Sequence, residues 1–372
     1  MIDPHKFYLE FLKNGSKFFS GVPDSLLKSF CNVLHEYCQP TEHIIAANEG
    51  SSIAIALGHY LATESVPVVY FQNSGLGNTV NPLLSLADSR VYSIPMVLVI
   101  GWRGEPGLHD EPQHIAQGEA TEEILNCLGV PYQVLDSESQ YKDVVAASVL
   151  SAKTENKPQA ILVRKGSFSS FSMKPATRLP GLLSRELVVE TILNSLSESD
   201  IVVATTGKTS REVFELRESN GESHEKDFLT VGGMGHASSI AMGISLSKPE
   251  RSVVCIDGDG ALLMHMGAMA IQGATDYPGT FVHIVLNNGA HESVGGHPTI
   301  ANKLNLEEIA MASGYQQASS VKTLGDVEES IGSALLSGGK SFIEVKIALG
   351  SRSDLGRPTL TPKENKTNVI NY

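Results

Sequence analysis

The sequence contains no apolar run of the roughly 18–20 residues that a membrane-spanning helix needs. It is also poor in basic residues, with 28 Lys and Arg against 41 Asp and Glu, which gives a formal net charge of −13. Such a charge repels nucleic-acid phosphates over most of a protein surface. We therefore expect no membrane insertion and no nucleic-acid partner, whereas a local group of cationic side chains can still bind a small anion.

Cysteine is scarce as well. The four cysteines, Cys31, Cys38, Cys127 and Cys255, include no Cys-x-x-Cys pair, so neither a disulfide framework nor a zinc cluster is indicated. The first 20 residues carry charged side chains at intervals and lack the uncharged apolar core of a secretory signal. The expectation is a cytoplasmic protein with reduced thiols.

Short apolar segments alternate with helical patterns through both halves of the chain. Uniformly apolar strands such as residues 96–100 are typical of a parallel sheet that helices cover on both faces. We therefore predict two doubly wound α/β domains. The predicted strands are 17–20, 43–47, 66–72, 95–101, 132–135 and 160–165 in the first half, and 201–205, 229–231, 252–256, 281–286 and 342–347 in the second.

A segment without periodicity separates the two halves. Residues 166–181 read GSFSSFSMKPATRLPG, a composition typical of a linker. The predicted domains are 1–166 and 184–350, joined by a linker at 167–183 and followed by a polar tail at 351–372. This division leaves no room for a third domain between them.

Two glycine-rich turns follow neighbouring predicted strands of the second half. Residues 257–260 read DGDG and are followed by a predicted helix at 261–274, and residues 287–289 read NNG. Either turn alone is more often structural. Because they lie one strand–helix–strand step apart, we expect both at the carboxyl edge of one sheet, where parallel sheets bind ligands. There Asp259 and an asparagine oxygen are suitable ligands for a hard cation.

The paired turns resemble the signature of thiamine-diphosphate enzymes. The resemblance implies that Asp259, the side chain of Asn288 and the backbone carbonyl of Ala290 bind Mg²⁺. It also implies cofactor contacts in both halves, from Gly258, Gly260, Ala261, Thr206, Gly207, Lys208, Gly232, Met234, Asn73, Ser74 and Gly75. Family members often have serine where this chain has Ala261, so a hydroxyl contact would be absent there.

Glu49 lies just after an apolar segment, at the start of a predicted helix. Taken without the paired turns, an acidic residue in that place is better explained by the helix dipole. The family resemblance implies more, namely that Glu49 protonates N1′ of the cofactor's aminopyrimidine. Since Glu49 and the diphosphate site fall in different halves, the resemblance also implies a homodimer or higher homo-oligomer with its active sites between subunits.

Three stretches narrow the resemblance to the two-domain 2-oxo-acid decarboxylases that act on phosphonopyruvate or sulfopyruvate. The resemblance is greatest to the enzymes that act on phosphonopyruvate. They read GVPDS at 21–25, GWRGEPG at 101–107 with DEPQH at 110–114, and HESVGG at 291–296. A glutamine is common in that family where this chain has His297. The implied reaction is the non-oxidative decarboxylation of 3-phosphonopyruvate, a small anionic 2-oxo acid, to phosphonoacetaldehyde and CO₂.

The same stretches supply the remaining candidate residues. Asp24 and Ser25 are candidates for proton relay, His114 and His291 are further catalytic candidates, and the candidates for substrate contact are Arg103, His109, Glu292 and Ser293. Three alternatives stay open at this point: a sulfopyruvate decarboxylase, a non-catalytic protein that binds thiamine diphosphate for regulation, and a generic nucleotide-binding α/β protein.

Overall fold

The computed structural model describes residues 1–173 and 181–372, and the chain divides into two compact units, Met1–Pro175 and Ala176–Tyr372. Each unit contains one six-stranded sheet in which all neighbouring strands are parallel. The prediction of two α/β domains without a middle domain is confirmed. The predicted linker at 167–183 lies partly outside the described residues, so the exact domain bounds stay a prediction.

The first unit is built around strands whose residues are buried on both faces. Val97 and Val99 belong to one apolar cluster, whereas Leu98 and Ile100 belong to another on the opposite face. The strands are β1 (Phe19–Gly21), β2 (His43–Ile45), β3 (Val68–Gln72), β4 (Val97–Gly101), β5 (Tyr132–Leu135) and β6 (Gln159–Val163), and the helices are α1 (Pro4–Lys13), α2 (Lys28–Tyr37), α3 (Glu49–Thr63), α4 (Leu76–Pro82), α5 (Pro112–Cys127) and α6 (Tyr141–Glu155). Their order across the sheet is β2-β1-β3-β4-β6-β5.

The second unit repeats this plan. Val254 and Ile256 belong to one apolar cluster, and Val253 and Cys255 to the cluster on the other face. The strands are β7 (Ile201–Ala204), β8 (Asp227–Leu229), β9 (Ser252–Gly258), β10 (Thr280–Asn287), β11 (Ala290–His291), β12 (His297–Pro298), β13 (Gln317–Val321) and β14 (Gly339–Lys346), and the helices are α7 (Arg185–Asn194), α8 (Lys208–Asn220), α9 (Ala237–Ser247), α10 (Asp259–Met264), α11 (Gly267–Ala274), α12 (Leu306–Ser313), α13 (Leu324–Ser337) and α14 (Pro362–Asn371). The sheet order is β13-β14-β10-β9-β7-β8, and β11 pairs with β12 in a small antiparallel ribbon.

Several elements differ from the sequence prediction. The single helix predicted at 261–274 is two helices, α10 and α11, which are separated at His265 and Met266. The strand predicted at 229–231 lies two residues earlier, as β8, and the polar elements α8, β13 and α14 were not predicted. Among the described residues, no helix combines the length and the apolar character that a membrane span requires.

Candidate active site

The predicted metal ligands of the second unit lie together at the carboxyl edge of its sheet. β9 and β10 pair in register up to Gly258 and Leu286, so α10, which begins at Asp259, and the turn after β10 start side by side. Asp259 is 2% exposed, and burial raises the pKa of its carboxyl to about 6. The backbone of Asn288 is among the groups that lower this pKa, so the segments that follow β9 and β10 lie close together at Asp259.

The donor set at this edge fits a hard divalent cation. A buried carboxylate with a raised pKa lacks compensating positive charge, and Mg²⁺ would supply it. The side-chain oxygen of Asn288 and the carbonyl of Ala290 add two neutral oxygen donors nearby. Thr299, which the sequence analysis missed, donates its hydroxyl to Oδ2 of Asp259 and orients that carboxylate. The individual ligand assignments stay predictions.

The two asparagines after β10 have different surroundings. Asn287 is 2% exposed, donates to Oε1 of Glu344 at 2.7 Å, and accepts from the N–H of Gly289 at 2.9 Å. The side chain of Asn288 instead accepts from the N–H of Ala290 at 3.0 Å. Asn287 therefore shapes the turn, and Asn288 stays the predicted metal ligand.

Gly260, Met234 and His291 are brought together beside the metal ligands. A Cβ added at Gly260 would lie 2.6 Å from Nδ1 of His291 and 3.5 Å from Cε of Met234, so only glycine permits this packing. Burial lowers the pKa of His291 to about 4. His291 is therefore a neutral hydrogen-bonding group near pH 7. Its cross-strand neighbour His297, the position that departs from the family pattern, is completely buried.

Glu292 connects Asn288, a predicted metal ligand, to two basic residues. Its carboxylate accepts from Nζ of Lys208 at 2.7 Å, from Nη1 of Arg185 at 2.8 Å and from Nδ2 of Asn288 at 2.8 Å. Although burial raises the pKa of Glu292, the hydrogen bond from Lys208 and the charge of Arg185 hold it below its usual value. Arg185 also forms a buried two-fold pair with Glu212. Substrate contact by Glu292 stays a prediction, and these contacts add a positioning role toward Asn288.

The segment after β7 lies against this network. Gly207 has a φ of +101°, and a Cβ added there would lie 2.9 Å from Oγ of Ser293. Lys208 begins α8 and points its ammonium group at Glu292. Thr206, Gly207 and Lys208 are therefore gathered with Ser293 at the edge that carries the metal ligands.

We expect Glu292→Gln to weaken Mg²⁺ binding about 10-fold, because the amide cannot accept three strong hydrogen bonds and the Asn288 side chain loses its orientation. Calorimetric titration of Mg²⁺ into protein with saturating thiamine diphosphate measures this. The exposed Glu328 supplies the matched control, Glu328→Gln, for which no change is expected. Equal Mg²⁺ affinity in both variants would contradict the positioning role.

In the first unit, Glu49 lies where the sequence analysis expected it. Asn48 caps α3 by accepting from the N–H of Ser51 at 2.9 Å, so Glu49 is the first helical residue, and it is 6% exposed. The carboxylate packs directly over Gly75, where a Cβ would collide with Oε1. Its Oε2 accepts from Nδ2 of Asn78 at 2.7 Å, a partner that the sequence analysis missed.

Asn73 joins the ends of β3 and β4. Its amide donates to the carbonyl of Arg103 at 2.8 Å and to Oγ1 of Thr121 at 2.9 Å, and its Oδ1 accepts from the N–H of Arg103 at 3.0 Å. The adjacent Ser74 is exposed and accepts from Gln72. Asn73 therefore has a structural role beside Glu49, and a direct cofactor contact by Asn73 or Ser74 stays a prediction.

Arg103 connects two loops at the same edge of the first sheet. Its guanidinium donates to Asp110, with Nε to Oδ2 at 2.7 Å, and Nη1 donates to Oγ of Ser25 at 2.9 Å. The hydrogen bonds from Arg103 hold the pKa of Asp110 well below its usual range. Asp24, next to Ser25, is 1% exposed, and burial raises the pKa of its carboxyl to about 6 although two backbone N–H groups donate to it.

The two candidate histidines of the first unit differ in their surroundings. His109 is exposed in the loop before α5, next to Asp110 in the sequence. His114 is half-buried in the first turn of α5, and its carbonyl oxygen lies against Gly104. Their catalytic or substrate-binding roles stay predictions.

Comparison with known proteins identifies both units. Residues 6–124 match the N-terminal TPP-binding domain of thiamine pyrophosphate enzymes, and residues 205–345 match the C-terminal TPP-binding domain. These ranges include Glu49 in the first unit and Asp259 and Asn288 in the second. Thiamine diphosphate is therefore the cofactor of this chain, as predicted, and Mg²⁺ is its accompanying ion.

Full-length relatives are similar along nearly the whole chain. A phosphonopyruvate decarboxylase of Streptomyces viridochromogenes is 33% identical over 362 residues, covering 93% of this chain and 88% of the relative. One from Streptomyces hygroscopicus is 32% identical, covering 93% and 87%. A sulfopyruvate decarboxylase of Methanosarcina acetivorans is 26% identical, covering 98% and 96%. With two thiamine-pyrophosphate domains and relatives of this kind, the chain belongs to the phosphonopyruvate decarboxylase family of carboxy-lyases.

Proposed function

We propose that this chain catalyses the non-oxidative decarboxylation of 3-phosphonopyruvate to phosphonoacetaldehyde and CO₂, with thiamine diphosphate and Mg²⁺. One observation carries the proposal: a chain that packs Glu49 over Gly75 and brings Asp259 close to Asn288 is 32–33% identical over most of its length to two phosphonopyruvate decarboxylases.

The second unit would hold the cofactor's diphosphate through Mg²⁺. Asp259, Asn288 and the Ala290 carbonyl are the proposed metal ligands, while Gly258 and Gly260 let the backbone approach the phosphates closely. When bound, thiamine diphosphate supplies the electron sink that accepts the electrons of the leaving carboxylate. The chain's own residues then have to orient the cofactor and substrate and to move protons.

Glu49 would hold a proton at N1′ of the aminopyrimidine. Asn78 fixes one carboxyl oxygen, and the close packing over Gly75 fixes the plane of the group. A carboxyl group restrained in this way loses little rotational freedom when it pairs with the ring nitrogen, which favours proton exchange at a defined distance.

Asp24 is the proposed proton donor to the product carbon. Because its pKa is about 6, a useful fraction of the carboxyl is protonated near neutral pH, unlike an ordinary aspartate. Ser25 would relay that proton or orient the substrate, since its hydroxyl is held by Arg103 at 2.9 Å. Arg103, Lys208 and the neutral His291 are the proposed groups around the phosphonate.

We further propose that the working form is a homodimer or a higher homo-oligomer, in which Glu49 of one copy serves the diphosphate-binding unit of another. Isologous dimers are the commonest way for one chain to complete a shared site twice. We also infer a cytoplasmic location, because its cysteines, Cys31, Cys38, Cys127 and Cys255, are all free thiols.

Steady-state kinetics of the purified protein with thiamine diphosphate and Mg²⁺ test the substrate. We expect kcat/KM for phosphonopyruvate to exceed that for sulfopyruvate at least about 10-fold. A site whose hydrogen bonds fit the phosphonate better than the sulfonate would give a preference of this size. A higher value for sulfopyruvate would identify the alternative decarboxylase. Cofactor binding without turnover of either compound would favour the non-catalytic regulatory protein.

A further inference from the structure

β8 is the edge strand of the second sheet, and among the described residues no further strand pairs beyond it. On its inner side, β8 pairs with β7 in register, Asp227 beside Val202 and Leu229 beside Ala204. An edge strand leaves a row of backbone N–H and C=O groups without strand partners on its outer side.

A single side chain from α14 occupies the outer side of β8. Nδ2 of Asn365 donates to the carbonyl of Asp227 at 2.7 Å, and Oδ1 of Asn365 accepts from the N–H of Leu229 at 3.0 Å. The carbonyl of Asp227 and the N–H of Leu229 are two residues apart. In a parallel sheet, a single residue of a neighbouring strand would bond such a pair. Asn365 is 5% exposed, so its amide replaces a strand neighbour within a buried environment.

α14 is stabilised at its start by a cap and anchored at its end by a contact with Arg251. At its start, Thr361 and Glu364 form a reciprocal capping box. At its end, Nη2 of Arg251 donates to the carbonyl oxygen of Tyr372 at 3.3 Å, and the guanidinium carbon lies 4.6 Å from the centre of the Tyr372 ring. The position of Asn365 is therefore set by its helix and does not depend on the two bonds to β8 alone.

The segment that leaves β8 reaches the candidate cofactor site within a few residues. Thr230 remains tied to the sheet, because both its N–H and its hydroxyl donate to the carbonyl of Ala204, at 3.2 and 2.8 Å. Gly235 then packs against α10, where a Cβ would lie 2.9 Å from the carbonyl of Ala261. Gly232 and Met234 stand between these two anchors, and β8 leads directly into the first of them, so the placement of β8 contributes to where they lie.

We propose that Asn365 is a positioning residue for the cofactor site, because it holds β8 and thereby keeps Gly232 and Met234 where they can contact the aminopyrimidine of thiamine diphosphate. This inference rests on the proposed function, which takes thiamine diphosphate as the cofactor, and on the cofactor contacts that the family resemblance implies for Gly232 and Met234. Loss of the Asn365 amide leaves the outer side of β8 without its two bonds and lets the following segment move.

The test compares Asn365→Ala with Lys366→Ala, which alters the exposed neighbour on the same helix. Calorimetry with Mg²⁺ present measures the Kd of thiamine diphosphate, and hydrogen–deuterium exchange follows amides 227–235. For Asn365→Ala we expect the Kd to rise about 10-fold and the Leu229 amide to exchange faster, as the loss of two buried hydrogen bonds implies. At saturating cofactor we expect kcat to stay near that of the wild type. Lys366→Ala should match the wild type in every measurement.

If Asn365→Ala does not fold, Asn365→Asp gives the same test, because a carboxylate still accepts from Leu229 but cannot donate to the carbonyl of Asp227. A folded variant with an unchanged Kd would overturn the inference and leave the proposed function intact. A wild type that binds no thiamine diphosphate would overturn both, and the two failures are told apart by the wild-type titration.

Discussion

Glu49→Gln is expected to lower kcat for phosphonopyruvate at least about 100-fold, the usual cost of removing a positioned acid–base group. Glutamine keeps the size of the side chain and can still accept the hydrogen bond from Asn78, but it cannot transfer a proton to N1′. The Kd of thiamine diphosphate should therefore change little. Steady-state turnover assays measure kcat, and calorimetric titration of the same preparation measures the Kd of thiamine diphosphate.

The matched control for this change is Glu123→Gln, which neutralises an exposed glutamate on α5. Its kcat should equal that of the wild type. Asn78→Ala should fall between the two variants, because it leaves the carboxyl in place without its hydrogen bond. Wild-type turnover by Glu49→Gln would remove Glu49 from the mechanism and with it the proposed cofactor geometry.

The same variant tests the sharing of the site between copies. Coexpression of Glu49→Gln with Asp259→Asn should restore up to about a quarter of the wild-type activity, because half of randomly paired dimers then contain one intact site of two. Each variant alone should be nearly inactive. If the mixture is no more active than its parts, Glu49 and Asp259 act within one chain.

Asp24→Asn is expected to stabilise the protein at pH 8 while lowering its turnover. Burial raises the pKa of the folded-state carboxyl from 3.8 to about 6, so the folded state disfavours the ionised form. A raised acid pKa means that stability is lost as the pH rises through about 4 to 6, and a neutral amide avoids that loss. The free energy of unfolding should rise by about 1–3 kcal/mol above pH 6.5, and the gain should shrink toward pH 4.

Urea denaturation at several pH values measures this gain. Asp276→Asn, which changes an exposed aspartate, is the control and should show no such pH dependence. The same Asp24→Asn protein should have a lower kcat, because the proposed proton donor is absent. A stability gain that is equal at pH 4 and pH 8 would show that the Asp24 carboxyl does not titrate as its burial implies.

The sequence was sufficient to predict which chemistry-bearing residues of the second sheet meet. Asp259 and Asn288 follow adjacent parallel strands, and the strand–helix–strand spacing alone requires their turns to share an edge. Periodicity and the spacing of strands along the chain carry this information, and both are readable in one sequence. Glu49 and Gly75 also lie at the carboxyl edge of one sheet, but they follow β2 and β3, which β1 separates, and the sequence did not predict their contact.

The residues that orient those groups were not predictable in this way. Thr299 reaches Asp259 from a loop 40 residues away, and Asn365 reaches Leu229 from a helix 136 residues away. Neither lies in a periodic pattern that indicates its partner. Such contacts depend on how loops and terminal elements pack, which spacing does not specify.

Charged residues inside the core explain the misplaced strand. β8 begins at Asp227, which is fully buried because Arg217 on α8 donates to it at 3.0 Å. A hydropathy pattern assigns such a residue to the surface, so the predicted strand started two residues late. The same ion pair explains why α8 was not predicted. Its sequence is polar, so the hydropathy pattern did not indicate a buried face, although Arg217 is buried.

The cover that α14 places over β8 has a consequence for biosynthesis. α14 follows every strand of its sheet in the chain, so a ribosome completes all six strands before Asn365 emerges. Throughout that interval the outer edge of β8 is uncovered in the nascent domain. An uncovered strand edge promotes aggregation between neighbouring chains on a polysome. Slow translation through residues 230–361 would therefore lower the soluble yield, and chaperone supply would matter most late in synthesis.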